Sequence, residues 1–250
     1  METSQVYGIH AANKVIQHHA EKIQAAFVSE GADSARINPI LNELEKLGVS
    51  INRIKKDKLT EKAQSPQHQG ILLVIKSQAV GTENDLFDVV EDMKPGYFLI
   101  LDTVEDPRNL GACIRTAESL GALGVIIPKD KSASVTPVVK KVACGAAEIL
   151  PIYQVTNLAR TLKTMQEYGY WIYGTGWGEK SQDLYDTTFP QHFAVVMGSE
   201  GKGLRQLTAK TCDQLITIPM PGLTESLNVS VAAGIMCAEI VRQGIKGAKA

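Results

Sequence analysis

Six short apolar runs recur from residue 97 onward: YFLIL (97–101), GVIIP (124–128), EILPIYQV (148–155), YWIYG (170–174), FAVVMG (193–198) and LITIPM (215–220). A strand that is apolar at nearly every position has to be covered on both faces. Helix-compatible chain lies between most of the runs, and strands alternating with helices close into a mostly parallel sheet with helices on both faces. The predicted fold class is therefore α/β. In such sheets ligands sit beyond the carboxyl ends of the strands, so the chain leaving each run is where chemistry is to be sought.

The N-terminal part reads as a smaller α/β unit. Helices are predicted over 8–20 and 34–47, the second carrying Ile37, Ile40, Leu41, Leu44 and Leu47 at three-four spacing. Strands are predicted over 22–28, 49–54 and 71–75, with a charged helix between the last two. The expected organisation is a domain of residues 1–77, a linker of residues 78–95, and a domain of residues 96–250. The linker carries five acidic residues against one lysine and ends at Pro95, with room for one short helix.

Composition excludes several classes. Charged residues make up 21 % of the 250, and the formal net charge is -1, so nothing global advertises a polyanionic partner. Only the local charge at a contact decides that question. Cys113, Cys144, Cys212 and Cys237 are scattered with no Cys-x-x-Cys pair, as expected of small buried residues in a reducing cytoplasm. The five histidines stand at no metal-ligand spacing with Cys or carboxylates, and no metal site is expected. The start, METSQVYGIHAANKV, lacks the basic and apolar segments of a signal peptide. No apolar segment approaches the ~18 residues of a membrane span. The expected location is cytoplasmic.

Three segments leaving the apolar runs carry candidate chemistry. After YFLIL, Asn109 is placed to cap a helix whose apolar face is Leu110, Cys113, Ile114, Ala117 and Leu120. Arg115 lies off that face, near the first turn and the carboxyl edge of the sheet, or else simply pairs with Glu118. After FAVV comes VMGSEGKGL, three glycines in six residues, able to adopt positive φ and to let a ligand close to the backbone. It lacks the P-loop spacing, and the central Glu200 would repel phosphate but suits a hydroxyl, an amine or an arginine. After LITIPM, Ser226, Asn228 and Ser230 precede an almost wholly apolar helix. Asn228 is roughly 200° around a helix from either serine, so the three converge only if the helix starts within them. A fourth segment, GTGWGEK (174–180), has Gly-x-Gly-x-Gly spacing with no clear helix after it. It reads as a turn; an oxidoreductase binding NAD through it is the competing class. The main set contains no nucleophile-base pair, and suits positioning a hydroxyl beside a small ligand.

Taken in order, the three segments resemble the motifs of the SpoU (TrmH-type) RNA 2'-O-ribose methyltransferases of the SPOUT class. Asn109, Gly111, Arg115 and Ala117 match Asn-x-Gly-x-x-x-Arg-x-Ala. Gly198, Glu200, Gly201 and Gly203 match Gly-x-Glu-Gly-x-Gly, and residues 226–230 match Ser-Leu-Asn-Val-Ser in full. GIHA (8–11), HQGI (68–71), PKDKSA (128–133), KKVACGAAE (140–148) and VTNLAR (155–160) are similar to the branch that methylates guanosine in bacterial 23S ribosomal RNA.

The resemblance implies a C-terminal trefoil knot, an L30e-like RNA-binding first domain, and a homodimer with the site near the subunit interface. The implied cofactor is S-adenosylmethionine, held by loops carrying Gly198, Gly203, Ile218, Met220 and Leu227. The implied reaction transfers its methyl group to a ribose 2'-OH of 23S ribosomal RNA, with Arg115 nearest the hydroxyl and Asn109 orienting it. Glu200 fixes Arg115, and Ser226, Asn228 and Ser230 complete the network. Candidate RNA contacts are Lys55, Lys56 and His68 in the first domain, and Lys129 and Lys140 in the second; a structural role for His68 and ordinary solvated lysines are the equal alternatives. A transfer-RNA enzyme of the same family and a non-catalytic RNA-binding protein are the alternatives.

Overall fold

The computed structural model of the chain describes residues 3–32, 34–178, 181–199, 201 and 203–244. The chain forms two compact units. One comprises the residues up to Ala79 together with Cys144–Ile149, and the other comprises Val80–Ala143 and the residues from Leu150 onward.

The first unit is a four-stranded sheet of β1 (Thr3–Tyr7), β2 (Ile23–Ser29), β3 (Ser50–Ile54) and β4 (Ile71–Lys76), in the order β1-β4-β2-β3. β4 is antiparallel to both neighbours, and β2 and β3 are parallel. The two-residue side-chain period of β4 separates two apolar layers. Ile71, Leu73 and Ile75 pack with α1 (Ile9–His18) and α2 (Ser34–Lys46), whereas Leu72 packs with Leu59 and Ala63 of α3 (Lys56–Ala63). The sequence pattern marks these helices and β2 to β4, but not β1, whose TSQVY has a single buried position, Val6.

The second unit is a seven-stranded sheet, parallel at every pairing, in the order β7-β6-β5-β10-β8-β11-β9. Its strands are β5 (Gly96–Leu101), β6 (Gly124–Pro128), β7 (Ile152–Val155), β8 (Trp171–Thr175), β9 (Gln182–Asp183), β10 (His192–Met197) and β11 (Gln214–Thr217). β5 is buried at all six positions, which is why its run has no polar alternation. α4 (Glu83–Glu91) and α7 (Leu158–Glu167) cover one face, where Leu86, Val90, Leu158 and Leu162 meet Phe98, Ile100, Ala194 and Val196. α5 (Pro107–Ser119) packs against α6 (Pro137–Ala143) and α9 (Val229–Arg242). α8 (Gln206–Thr211) leads into β11.

Several boundaries differ from the sequence reading. The acidic segment before Pro95 supplies α4, with a complete capping box between Thr82 and Asp85, and α4 is part of the second core. The run 148–155 becomes strand only from Ile152, because Pro151 interrupts it and Ala146–Glu148 forms a 3-10 turn belonging to the first unit. β11 stops at Thr217 before Pro219 and Pro221. α9 is not apolar-buried all round: Val231 and Ala238, seven residues apart and so on one face, are exposed. Of the four cysteines, Cys144 is exposed while Cys113 and Cys237 are buried. Among the described residues no helix is long and apolar enough to cross a membrane, and no group of three metal-binding side chains forms.

Candidate active site

At β5 the sheet order turns: β6 and β7 lie to one side, β10 and β8 to the other. A crevice therefore opens at the carboxyl ends of β5 and β10, the usual ligand position in such sheets. Asp102 directly follows β5 and is fully buried. Beyond it, Asp106 caps α5 by accepting from the Arg108 N–H at 2.8 Å, with Pro107 in the first turn. The helix thus starts earlier than Asn109, which sits inside its first turn and is not its cap. Gly111 one turn on is where α5 and α6 touch, since a Cβ there would lie 2.7 Å from Val142 Cβ and 2.8 Å from the Val139 carbonyl. Its place in the motif is therefore explained by packing.

The glycine-rich loop after β10 closes on itself. Ser199 N–H donates to the Gly203 carbonyl at 3.1 Å, and Gly203 N–H donates back to Ser199 at 3.0 Å. Gly198 allows the closure, because a Cβ on it would stand 2.2 Å from Gly203 C and 2.5 Å from Leu204 N. Thr175 at the end of β8 accepts from the Gly198 N–H (3.4 Å) and donates to the Val196 carbonyl (3.2 Å).

Two clefts flank this loop. The first, about 210 Å³, is lined by chain leaving β8, β10 and β11 and by the start of α9: Thr175, Gly176 and Trp177, Gly198 and Gly203, Ile218 and Met220, Ser226 and Leu227. Its walls are largely glycine backbone and apolar side chains, with Thr175, Ser199, Thr217, Glu225 and Ser226 as the polar members. The second, about 410 Å³, is lined by chain leaving β5, β6 and β10: Thr103 to Asp106, Asn109, Lys131 and Arg205. Thr103 and Lys131 hold left-handed backbone there, φ 60° and 55°, a conformation costing about 1 kcal/mol or more that such sites retain. Ser199, Gly203 and Val229 line both clefts, so the glycine loop and the first turn of α9 are their common wall.

A polar chain crosses near that wall. Asn228 caps α9: its Oδ1 accepts from the Ser230 N–H (2.9 Å) and hydroxyl (2.6 Å), and its Nδ2 donates to Asn109 Oδ1 at 3.0 Å. The helix begins within the Ser226–Ser230 segment, which is the condition for these residues to gather at one place. All five residues expected around the cofactor, Gly198, Gly203, Ile218, Met220 and Leu227, line the first cleft, and Ser226 lines it as well.

Other candidates lie elsewhere. Arg115 is exposed in the third turn of α5, about 12 Å along the axis from Pro107 at 1.5 Å per residue. It lines neither cleft, because the earlier helix start carries it down from the carboxyl edge. Glu200 lies outside the described residues. His68 is only 2 % exposed, too buried for an RNA contact. Its Nδ1 accepts from the Gly70 N–H and its Nε2 lies 3.0 Å from the Thr60 hydroxyl, so the Nε2–H tautomer donates there. Burial, and then Lys56, pushes its pKa down. Lys55, Lys56 and Lys129 are exposed and Lys140 is half-buried. Trp177, read as part of a turn, stands 66 % exposed at the first cleft; Glu179 and Lys180 of the same segment lie outside the described residues. Asp102 and Arg205 were not singled out from sequence either.

A parallel α/β domain with two adjoining clefts at its carboxyl edge, one glycine-walled and one polar, is built to hold a small ligand against a second, polar one. Residues 96–238 match the SpoU rRNA Methylase family, and residues 5–80 match the RNA 2'-O ribose methyltransferase substrate binding family. The chain belongs to the SpoU rRNA methylase family. It is 48 % identical over 243 residues to the 23S rRNA (guanosine-2'-O-)-methyltransferase RlmB of Vibrio cholerae, covering 97 % of this chain and 98 % of that one. The Haemophilus influenzae protein of the same name is 46 % identical over 242 residues, covering 96 % and 98 %. Among solved structures, the SpoU methyltransferase AviRb from Streptomyces viridochromogenes in complex with AdoMet superposes with a TM-score of 0.71 at 22 % identity, covering 97 % of this chain and 91 % of that one. An AdoMet-bound rRNA methyltransferase from Sinorhizobium meliloti gives 0.70 at 20 % identity, covering 96 % and 87 %.

Proposed function

We propose that the protein methylates the ribose 2'-OH of a guanosine in 23S ribosomal RNA, with S-adenosylmethionine (AdoMet) as methyl donor. The observation that carries this reading is the pair of clefts sharing one wall. A cofactor in the glycine-walled cleft and a ribose in the polar one would meet across Ser199, Gly203 and Val229. The first cleft fits AdoMet by chemistry: apolar side chains and Trp177 for the purine, and exposed backbone groups on the glycine loop for its polar edges. When bound, AdoMet supplies an already activated methyl group on a sulfonium. The protein's own share is then orientation and help with proton loss.

In this reading Asn109 stands on the ribose side and is held by Asn228, which Ser230 braces in turn. Ser226 faces the cofactor. Arg115 stays a cation, since guanidinium does not deprotonate near neutral pH, and its part is charge stabilisation and orientation. Its distance from both clefts suits a homodimer in which a second copy completes the site, and the exposed Val231 and Ala238 of α9 offer an apolar face for one. Glu200 keeps its place beside Arg115 on its motif alone. RNA binding by residues 1–77 and methyl transfer by residues 96–250 belong to the same proposal, with α4, between them in sequence, packed in the second core, as does the cytoplasmic location.

The trefoil knot is part of the proposal too. It is supported by the path of the chain, which leaves β11, three positions from β5 in the sheet, yet returns α9 onto α5. Lys55, Lys56, Lys129 and Lys140 are the proposed RNA contacts, and binding through them should weaken steeply with salt. The test is transfer of radiolabelled methyl from AdoMet to 23S ribosomal RNA that lacks the modification, with transfer RNA alongside. Label in the ribosomal RNA alone supports the proposal; label in transfer RNA alone selects the transfer-RNA alternative, and label in neither rejects both.

A further inference from the structure

The carboxylate of Asp102 is completely buried at the end of β5, and the functional reading above gives it no task. Its polar contacts all go to one residue, 103 positions later. Oδ2 accepts from the backbone N–H of Arg205 at 3.1 Å, Oδ1 accepts from Arg205 Nε at 2.7 Å, and Nη2 stands 2.6 Å from Oδ1 as an ion pair. The backbone N–H of Asp102 donates to the Met197 carbonyl at 2.8 Å. Met197 is the last residue of β10 and Arg205 the first after the glycine loop. One residue therefore grips both stems of the loop that walls the two clefts.

The chemistry favours a rigid hold. A guanidinium offers a planar fork of donors, and charge-assisted bonds in a buried place are short and strong. Among the described residues, the Gly198 N–H bond to Thr175 and the packing of Leu204 on the core are the loop's other anchors. Gly198, Gly201 and Gly203 contribute no side chains, and the self-closing bonds between Ser199 and Gly203 set its shape but not its place on the sheet. Arg205 itself is partly exposed at the second cleft, so the pair joins the buried strand end to the cleft surface.

We propose that Asp102 and Arg205 are positioning residues: the clamp that holds the glycine loop where the cofactor cleft and the ribose cleft meet. The proposal rests on the functional reading for which ligands occupy the clefts, and on the geometry alone for the clamp.

The experiment compares wild type with Asp102→Asn, Arg205→Gln, Arg205→Lys and the double variant Asp102→Asn/Arg205→Gln. Hydrogen exchange of peptides covering residues 198–205 is measured first, without ligand, against a peptide of α7 as internal reference. The clamp predicts exchange faster by about tenfold or more in the two neutralising single variants, with α7 unchanged. It also predicts slower loop exchange in the double variant than in Arg205→Gln, because the double variant leaves no buried carboxylate without its cation. Arg205→Lys, which keeps the charge and loses the fork, should fall between wild type and Arg205→Gln. AdoMet affinity by calorimetry, without RNA, should weaken in the same order. Loop exchange equal to wild type in both single variants overturns the clamp. So does Arg205→Gln that binds AdoMet normally and only raises KM for RNA, which makes Arg205 an RNA contact. Wild type that fails to bind AdoMet defeats the functional reading and leaves the exchange result to judge the clamp.

Discussion

Gly198→Ala isolates the glycine loop from the rest of the fold. The added Cβ would lie 2.2 Å from Gly203 C, 2.5 Å from Leu204 N and 2.6 Å from the Gly203 carbonyl oxygen. All three are backbone atoms, so no rotamer change relieves the contact, and the two strands of the loop must separate. Separation sacrifices the paired Ser199–Gly203 bonds of 3.1 and 3.0 Å. At about 0.5–1.5 kcal/mol each, the two bonds are worth roughly 2 kcal/mol. The cofactor then meets a cleft whose closed form is rarer by the same amount, and its apparent affinity falls by about 30-fold. Calorimetric titration with AdoMet, without RNA, reads this directly. Gly198, Gly201 and Gly203 lie outside the buried cluster around Phe98 and Ile100, which the loop meets through Leu204, so the thermal midpoint should move much less than the affinity. An alanine variant that binds within about threefold of wild type would show that the closed loop does not shape the cofactor cleft.

Asn228→Ala removes both the cap of α9 and the brace on Asn109; methyl transfer should fall further than AdoMet affinity, and equal losses in a kcat and Kd comparison would count against a ribose-side role. Thr82→Ala breaks the capping box of α4 and should cost about 1 kcal/mol in urea denaturation, without changing methyl transfer per folded molecule. His19 and His68 both have pKa values lowered from 6.5, chiefly by burial. Below that value the unfolded chain takes up more protons than the folded one, so stability is full above pH 6.5 and declines as pH falls. The urea midpoint should drop between pH 7.5 and pH ~5.5, by less in His68→Gln, and a midpoint independent of pH would refute the assignment.

Long-range order was legible where the sequence pattern reflects burial. The two-sided apolar runs marked β5, β6, β8 and β10 because those strands are covered on both faces, and three-four spacing marked α2. β1 and β9 were missed for the converse reason: β1 buries one side chain and β9 has two residues, so neither leaves a periodic trace. Gly198, Ile218, Met220 and Leu227 were named through the family resemblance, and they meet in one cleft. Asn109 was misplaced as a cap because the Asp106-Pro107 pair, a stronger start signal three residues earlier, was passed over; the same shift moved Arg115. For His68 the sequence left an RNA contact and a structural role open, because its burial comes from Thr60 and Gly70 closing around it, a tertiary fact. Asp102 could have been noticed as a charge ending an apolar strand, but its partner 103 residues away appears only in three dimensions.

The central claim is that the two adjoining clefts bring a methyl donor and a guanosine ribose together. It is tested most directly by incubating the purified protein with AdoMet and unmodified 23S ribosomal RNA, then digesting to nucleosides for mass spectrometry. The account predicts 2'-O-methylguanosine as the new nucleoside, with the added mass on the ribose fragment. A methyl group on the base fragment, or no new nucleoside while AdoMet binds, would contradict it.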